Sequence, residues 1–114
     1  MITVSERLDG AVSILNICGK LSGGENYSLL SNKIVELLNK GYILFVLNLS
    51  EVNNADSTGI GELIVCLKRV KEKGGEIKLA APSQKIDNLL HITNLERIFE
   101  IHPTERSALR SFGH

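Results

Sequence analysis

Apolar and polar positions alternate along Ile2-Thr3-Val4-Ser5-Glu6-Arg7-Leu8, the period of a strand with one wet face. Asp9-Gly10 supplies a tight turn, and Ala11 to Cys18 is again rich in apolar residues. Two such runs about an Asp-Gly pair predict a β-hairpin. Gly19-Lys20-Leu21-Ser22-Gly23-Gly24 reads as a loop. From Glu25 the period changes. Leu29, Leu30, Ile34, Leu37 and Leu38 recur at helical spacing, and Gly41 closes the helix.

The unbroken run Ile43-Leu44-Phe45-Val46-Leu47 predicts a central strand covered on both faces. A polar loop from Asn48 onward should separate it from a second helix that opens near Ser57. That helix carries Ile60, Leu63, Ile64, Leu67 and Val70 inward. Lys68, Arg69, Lys71, Glu72 and Lys73 lie toward solvent, and Gly74-Gly75 ends it. Glu76 to Ala81 is a further strand, stopped by Pro82. Ser83 then caps a short helix bearing Ile86, Leu89 and Leu90. Phe99-Glu100-Ile101 forms a brief last strand, and Pro103 or Thr104 begins a terminal helix with Ala108, Leu109 and Phe112 inward.

No repeat or linker interrupts this order. The pattern ββαβαβαβα predicts one α/β domain over residues 1–114, a hairpin followed by parallel strands joined through helical crossovers. Functional loops of such sheets gather at the carboxyl ends of the strands, where Ser57 falls.

Composition narrows the partners. Lys plus Arg and Asp plus Glu number 13 each, so no net field gathers nucleic acid or an anionic membrane. The absence of Trp argues further against base stacking. Neither direct nucleic-acid binding nor membrane association is expected. Met1 to Arg7 has no export-signal pattern, and the apolar runs fall far short of the ~20 residues that span a bilayer. The expected location is the cytoplasm. Cys18 and Cys66 form no C-x-x-C pair and are expected to be reduced thiols filling the core.

The candidate chemistry centres on Ala55-Asp56-Ser57-Thr58-Gly59. A serine at a strand-to-helix turn is a cap, a nucleophile or a phosphate acceptor. As a nucleophile elbow the stretch departs at Ala55, where the sharp turn wants Gly. The candidate bases, His91 and His102, look like helix-end and strand-end residues, and His114 is terminal. A small serine hydrolase is therefore the weaker reading. Gly59-Ile60-Gly61 lacks the third glycine of a dinucleotide fingerprint, and no phosphate-binding P-loop exists. No metal-ligand spacing occurs, so neither cofactor nor metal is expected. The chain is a better substrate than enzyme.

Phosphorylating Ser57 would add about −1.5 to −2 charges, whose oxygens the first N–H groups of the helix could bind. The helix dipole favours an anion there by ~0.3–1 kcal/mol. A partner packed on Ser57 would instead lose ~3 kcal/mol or more, over a hundredfold in affinity. Residue types alone leave acceptor and plain cap, by Ser57 or Asp56, both open.

The chain resembles the STAS domains, specifically the stand-alone anti-sigma-factor antagonists, over essentially its whole length. Asp56-Ser57-Thr58-Gly59-Ile60-Gly61 is similar to the D-S-[ST]-G-[LI]-G signature of that family, placed after the expected strand and loop (Leu47-Asn48-Leu49-Ser50). Gly19-x-Leu21, Gly41 and Gly74-Gly75 also stand where such proteins have them. The resemblance implies that the unmodified chain binds an anti-sigma factor that is also a serine kinase, releasing the sigma factor. It further implies that this kinase, which holds the ATP and Mg²⁺, phosphorylates Ser57 and so ends binding, and that a serine phosphatase restores it. By the same resemblance Asp56 neighbours the acceptor in the partner-facing loop, and Thr58 and Gly59 open the helix that meets the partner. Many antagonists carry Asp where this chain has Ser22, which is expected to touch the same partner surface through hydrogen bonds. The same domain shape also serves as a subunit of lipid-transport ATPase complexes and in stress-signalling scaffolds.

Overall fold

The computed structural model describes residues 2–22 and 28–113. Five strands form one sheet in sequence order. They are β1 (Ile2–Asp9), β2 (Val12–Leu21), β3 (Leu44–Ala55), β4 (Glu76–Ala80) and β5 (Glu100–His102). β1 and β2 pair antiparallel as the expected hairpin, and every later pairing is parallel. The helices are α1 (Leu29–Asn39), α2 (Ser57–Glu72), α3 (Gln84–Ile92) and α4 (Glu105–Arg110), with a 3-10 turn at Leu95–Arg97. The mixed α/β architecture is the expected one. The anticipated helix start at Glu25 and the Gly23-Gly24 loop lie outside the described residues.

Alternation in the strands divides the sheet into two faces. Leu15, Ile17, Phe45, Leu47, Leu49, Ile77 and Leu79 enter the main core with residues of α1, α2 and α3. Val12, Ile14, Val46 and Ala80 face the opposite way, where Ala108 and Leu109 of α4 and Phe112 of the turn after it cover them. β3 is thus buried on both sides at Phe45-Val46-Leu47, as its unbroken apolar run requires. On the α4 side Lys78 is buried as well. Its ammonium lies 2.6 Å from Ser111 Oγ, 3.3 Å from Glu100 Oε2 and 4.2 Å from the Phe112 ring centroid. Arg7 pairs with Glu105, which also accepts from Asn48 Nδ2, so α4 is tied to β1 and β3.

Helix ends follow local chemistry. Gly41 (φ 96°) follows α1 and lets its own N–H reach Leu38 O and that of Tyr42 reach Leu37 O, a Schellman closure. Gly74-Gly75 ends α2 in the same way. Ser83 Oγ accepts from Ile86 N, so the expected cap forms, and Thr104 Oγ1 accepts from Ser107 N to cap α4, which begins at Glu105.

Two expectations need correction. Gly19-Lys20-Leu21 and Asn48 to Ala55 are strand rather than loop, because the two segments pair with each other. Cys18 pairs with Glu51, Gly19 with Val52, Lys20 with Asn54 and Leu21 with Ala55. The register slips twice, between Asn16 and Cys18 and between Gly19 and Lys20, each time leaving one extra residue on β3. Such bulges bend and twist a strand end.

The second correction concerns Cys18, which is exposed on the open sheet face, whereas Cys66 is buried as expected. Burial, helped by the negative charge of Glu62, pushes the Cys66 thiol up to about 12. An uncharged alkylating reagent is therefore expected to modify Cys18 alone in the native protein. Mass spectrometry before and after denaturation checks this; native labelling of Cys66 would contradict the buried placement.

Candidate functional site

The extended β3 delivers the chain to α2 beside the end of β2. Asp56 N–H donates to Leu21 O at 3.1 Å, as though continuing the β2–β3 ladder for one residue. Its backbone is extended (φ −117°, ψ −179°), and its side chain turns back so that Oδ1 accepts from Gly59 N at 2.9 Å. Ile60 N–H then reaches Asp56 O and the helix is under way. Asp56 is thus the N-cap, which releases Ser57 from that duty.

Ser57 and Thr58 occupy the first two helical positions, and both are exposed, as is Asp56. Donors at a helix start need partners from outside the helix. Here Asp56 and Gly59 have theirs, while the backbone N–H groups of Ser57 and Thr58 meet no acceptor among the described residues. An anion attached to Ser57 Oγ would find two donors and the positive end of a 16-residue helix.

Gly59 is buried for a specific reason. A Cβ placed on it would lie 1.9 Å from Leu21 O and 2.9 Å from Ser22 N. The first turn of α2 therefore rests directly on the backbone that leaves β2. This contact brings Ser22 beside Asp56, Ser57, Thr58 and Gly59, so the structure gathers all five residues singled out in the sequence. Ser22 itself is half-buried.

Neither histidine joins them. His91 lies in the last turn of α3 and faces Asp87 (3.5 Å) and Glu96 (3.8 Å), and His102 ends β5 beside Glu100 (3.1 Å). Ser57 has no base to activate it among these rings. Among the described residues no group of three or more His, Cys, Asp or Glu could hold a metal ion. No helix among them is long and apolar enough to cross a membrane.

One residue escaped the sequence reading. Glu62, on the second turn of α2, is buried at 2% exposure and accepts from Ser31 N at 3.1 Å. Its signal was position: Gly59, Cys66 and Val70 stand three before, four after and eight after it, so it shares their inward face.

Comparison with known proteins agrees with this geometry. The profile of the STAS domain matches residues 4–108. A candidate anti-sigma factor antagonist from Thermotoga neapolitana is 42% identical over 74 residues, 65% of this chain and 66% of that protein, so the match spans just under two thirds of this relative. The anti-sigma-B factor antagonist of Bacillus subtilis is 36% identical over 89 residues, covering 76% of this chain and 78% of that one. The crystal structure of a candidate anti-sigma factor antagonist from Thermotoga maritima superposes with a TM-score of 0.88 at 31% identity, covering 97% and 95% of the two chains. With the profile spanning nearly its full length and a named antagonist among its relatives, the chain belongs to the STAS domain family, in the company of the anti-sigma-factor antagonists.

Proposed function

We propose that this chain is a protein-binding switch, an anti-sigma-factor antagonist whose unmodified form binds an anti-sigma factor with serine-kinase activity and whose phosphorylation at Ser57 ends that binding. The observation that supports this most directly is the exposed Ser57 at the first position of α2, with the capping work done by its neighbour. A serine relieved of a structural role can change its chemistry without disturbing the fold.

The phosphate would be held by the open N–H groups of Ser57 and Thr58. Asp56 would stay engaged with Gly59 N, its carboxylate beside the new dianion, raising the local charge from −1 to about −3. A kinase surface shaped for a neutral hydroxyl would have to desolvate that charge, and affinity would fall. Asp56, Thr58, Gly59 and Ser22 form the rest of the contact surface in this reading. ATP and Mg²⁺ belong to the kinase, and a serine phosphatase reverses the step. The chain acts as substrate and ligand in the cytoplasm rather than as an enzyme.

Incubating the purified protein with lysate of its source organism and Mg-ATP, followed by peptide mapping, tests the reading. A single phosphate on the peptide containing Ser57 is expected. Phosphate confined to other residues would refute it.

A further inference from the structure

Two charged side chains are buried among the described residues, Lys78 and Glu62. Lys78 has Glu100 for a counter-ion, whereas no ion pair among the described residues reaches Glu62. A carboxylate buried without a cation is costly, and an apolar side chain would fill the same space at less expense. What Glu62 has instead is the start of another helix. Its Oε2 accepts from Ser31 N at 3.1 Å and lies 3.4 Å from Ser31 Oγ, which is also 3.2 Å from Ser28 O. Ser31 is the third residue of α1, and its N–H is the one an N-cap side chain ordinarily takes. The local N-cap, Ser28, is left-handed (φ 75°) and makes no side-chain cap bond. Glu62 thus caps α1 from α2, at the end where a helix favours a negative charge.

The consequence reaches the Ser57 surface. The connection between β2 and α1 is held at both ends by residues 56 to 62. At the β2 end Leu21 O accepts from Asp56 N, and Gly59 rests on Leu21 and Ser22. At the α1 end Ser31 is held by Glu62. Large apolar side chains stay exposed close by in sequence, Leu29 at the start of α1 (39%) and Val65 three residues after Glu62 (36%).

We propose that Glu62 is a positioning residue for the Ser57 surface: it pins the start of α1 to α2, the helix whose first turn carries Ser57, so that a protein partner meets the start of α1 and that turn in one fixed arrangement. The partner clause rests on the switch reading; the clamp does not.

Glu62→Leu and Glu62→Gln in the full chain provide the test. Leu keeps the buried volume and removes the acceptor, whereas Gln keeps an acceptor oxygen without the charge. Amide hydrogen exchange of the free protein should show Ser31 exchanging roughly tenfold or more faster in Glu62→Leu, with Val46 and Leu47 still protected, and Gln restoring most of the effect. With the serine kinase that modifies the wild-type chain, Glu62→Leu should raise KM for the chain roughly tenfold, leave kcat within about twofold, and be rescued by Gln. Unchanged exchange at Ser31 in Glu62→Leu overturns the clamp. Faster exchange with an unchanged KM overturns the positioning role. Should wild type find no kinase, the switch reading fails, and the exchange measurement still decides the clamp.

Discussion

Ser57→Asp is expected to lose more than a hundredfold in affinity for the partner kinase, while Ser57→Ala binds constitutively and cannot be switched off. The expectation follows from what the substitutions leave alone. Asp56 supplies the helix cap, so neither change removes a bond that holds α2 in place. Alanine is a good helix former, and an acidic residue suits the first turn of a helix. Both variants should therefore fold like wild type, and any difference in binding comes from the surface. Aspartate puts a second carboxylate beside Asp56 where the partner packs, and desolvating it without a counter-charge costs ~3 kcal/mol or more. Calorimetric titration against the purified kinase measures the contrast. Equal affinity of both variants and wild type would end the switch interpretation.

Gly59→Ala should be strongly destabilising for a change of one methyl group. The added carbon would lie 1.9 Å from Leu21 O, a backbone atom with no rotamer to retreat into. Leu21 is itself paired to Ala55 in the ladder and its carbonyl receives Asp56 N–H, so retreat there breaks β2 from β3. Overpacking against such a neighbour costs ~3 kcal/mol or more, which lowers the midpoint by roughly 10 °C or more for a domain of this size. Gly61→Ala is the control. Nothing lies within 4 Å of its added carbon, and inside a helix the change should raise stability by up to ~1 kcal/mol. Thermal melts followed by circular dichroism compare the two; similar melts would contradict the close approach of α2 to β2. Because Gly59 seats the turn that displays Ser57, a folded Gly59→Ala protein should also bind the kinase poorly.

The residues that reveal themselves in sequence do so through short-range rules. Ser83 and Thr104 cap the helices they precede, and Gly41 ends α1, because each acts within one turn of its own chain. The strand-to-helix turn before α2 is legible for the same reason, since Asp56 reaches Gly59 three residues on. Asn48 to Ala55 misled because Asn, Ser and Glu are poor strand formers. Beyond Asn48, however, β4 has ended, β3 has only β2 as a neighbour, and exposed polar residues are tolerated there. Cys18 misled in the opposite sense. Its apolar neighbours Ile14 and Ile17 are buried, but by the second half of β2 the face toward α4 has run out of cover.

The chain alone therefore determined the α/β order, the Ser83 cap and the serine at a strand-to-helix turn, all set by periodicity and by contacts of a few residues' reach. Only the tertiary structure decided that Leu21 and Ser22 support that turn, that Gly59 must be bare, and that a buried Glu62 caps a different helix. Those contacts join residues some thirty to forty positions apart, where no local pattern of polar and apolar positions carries the information.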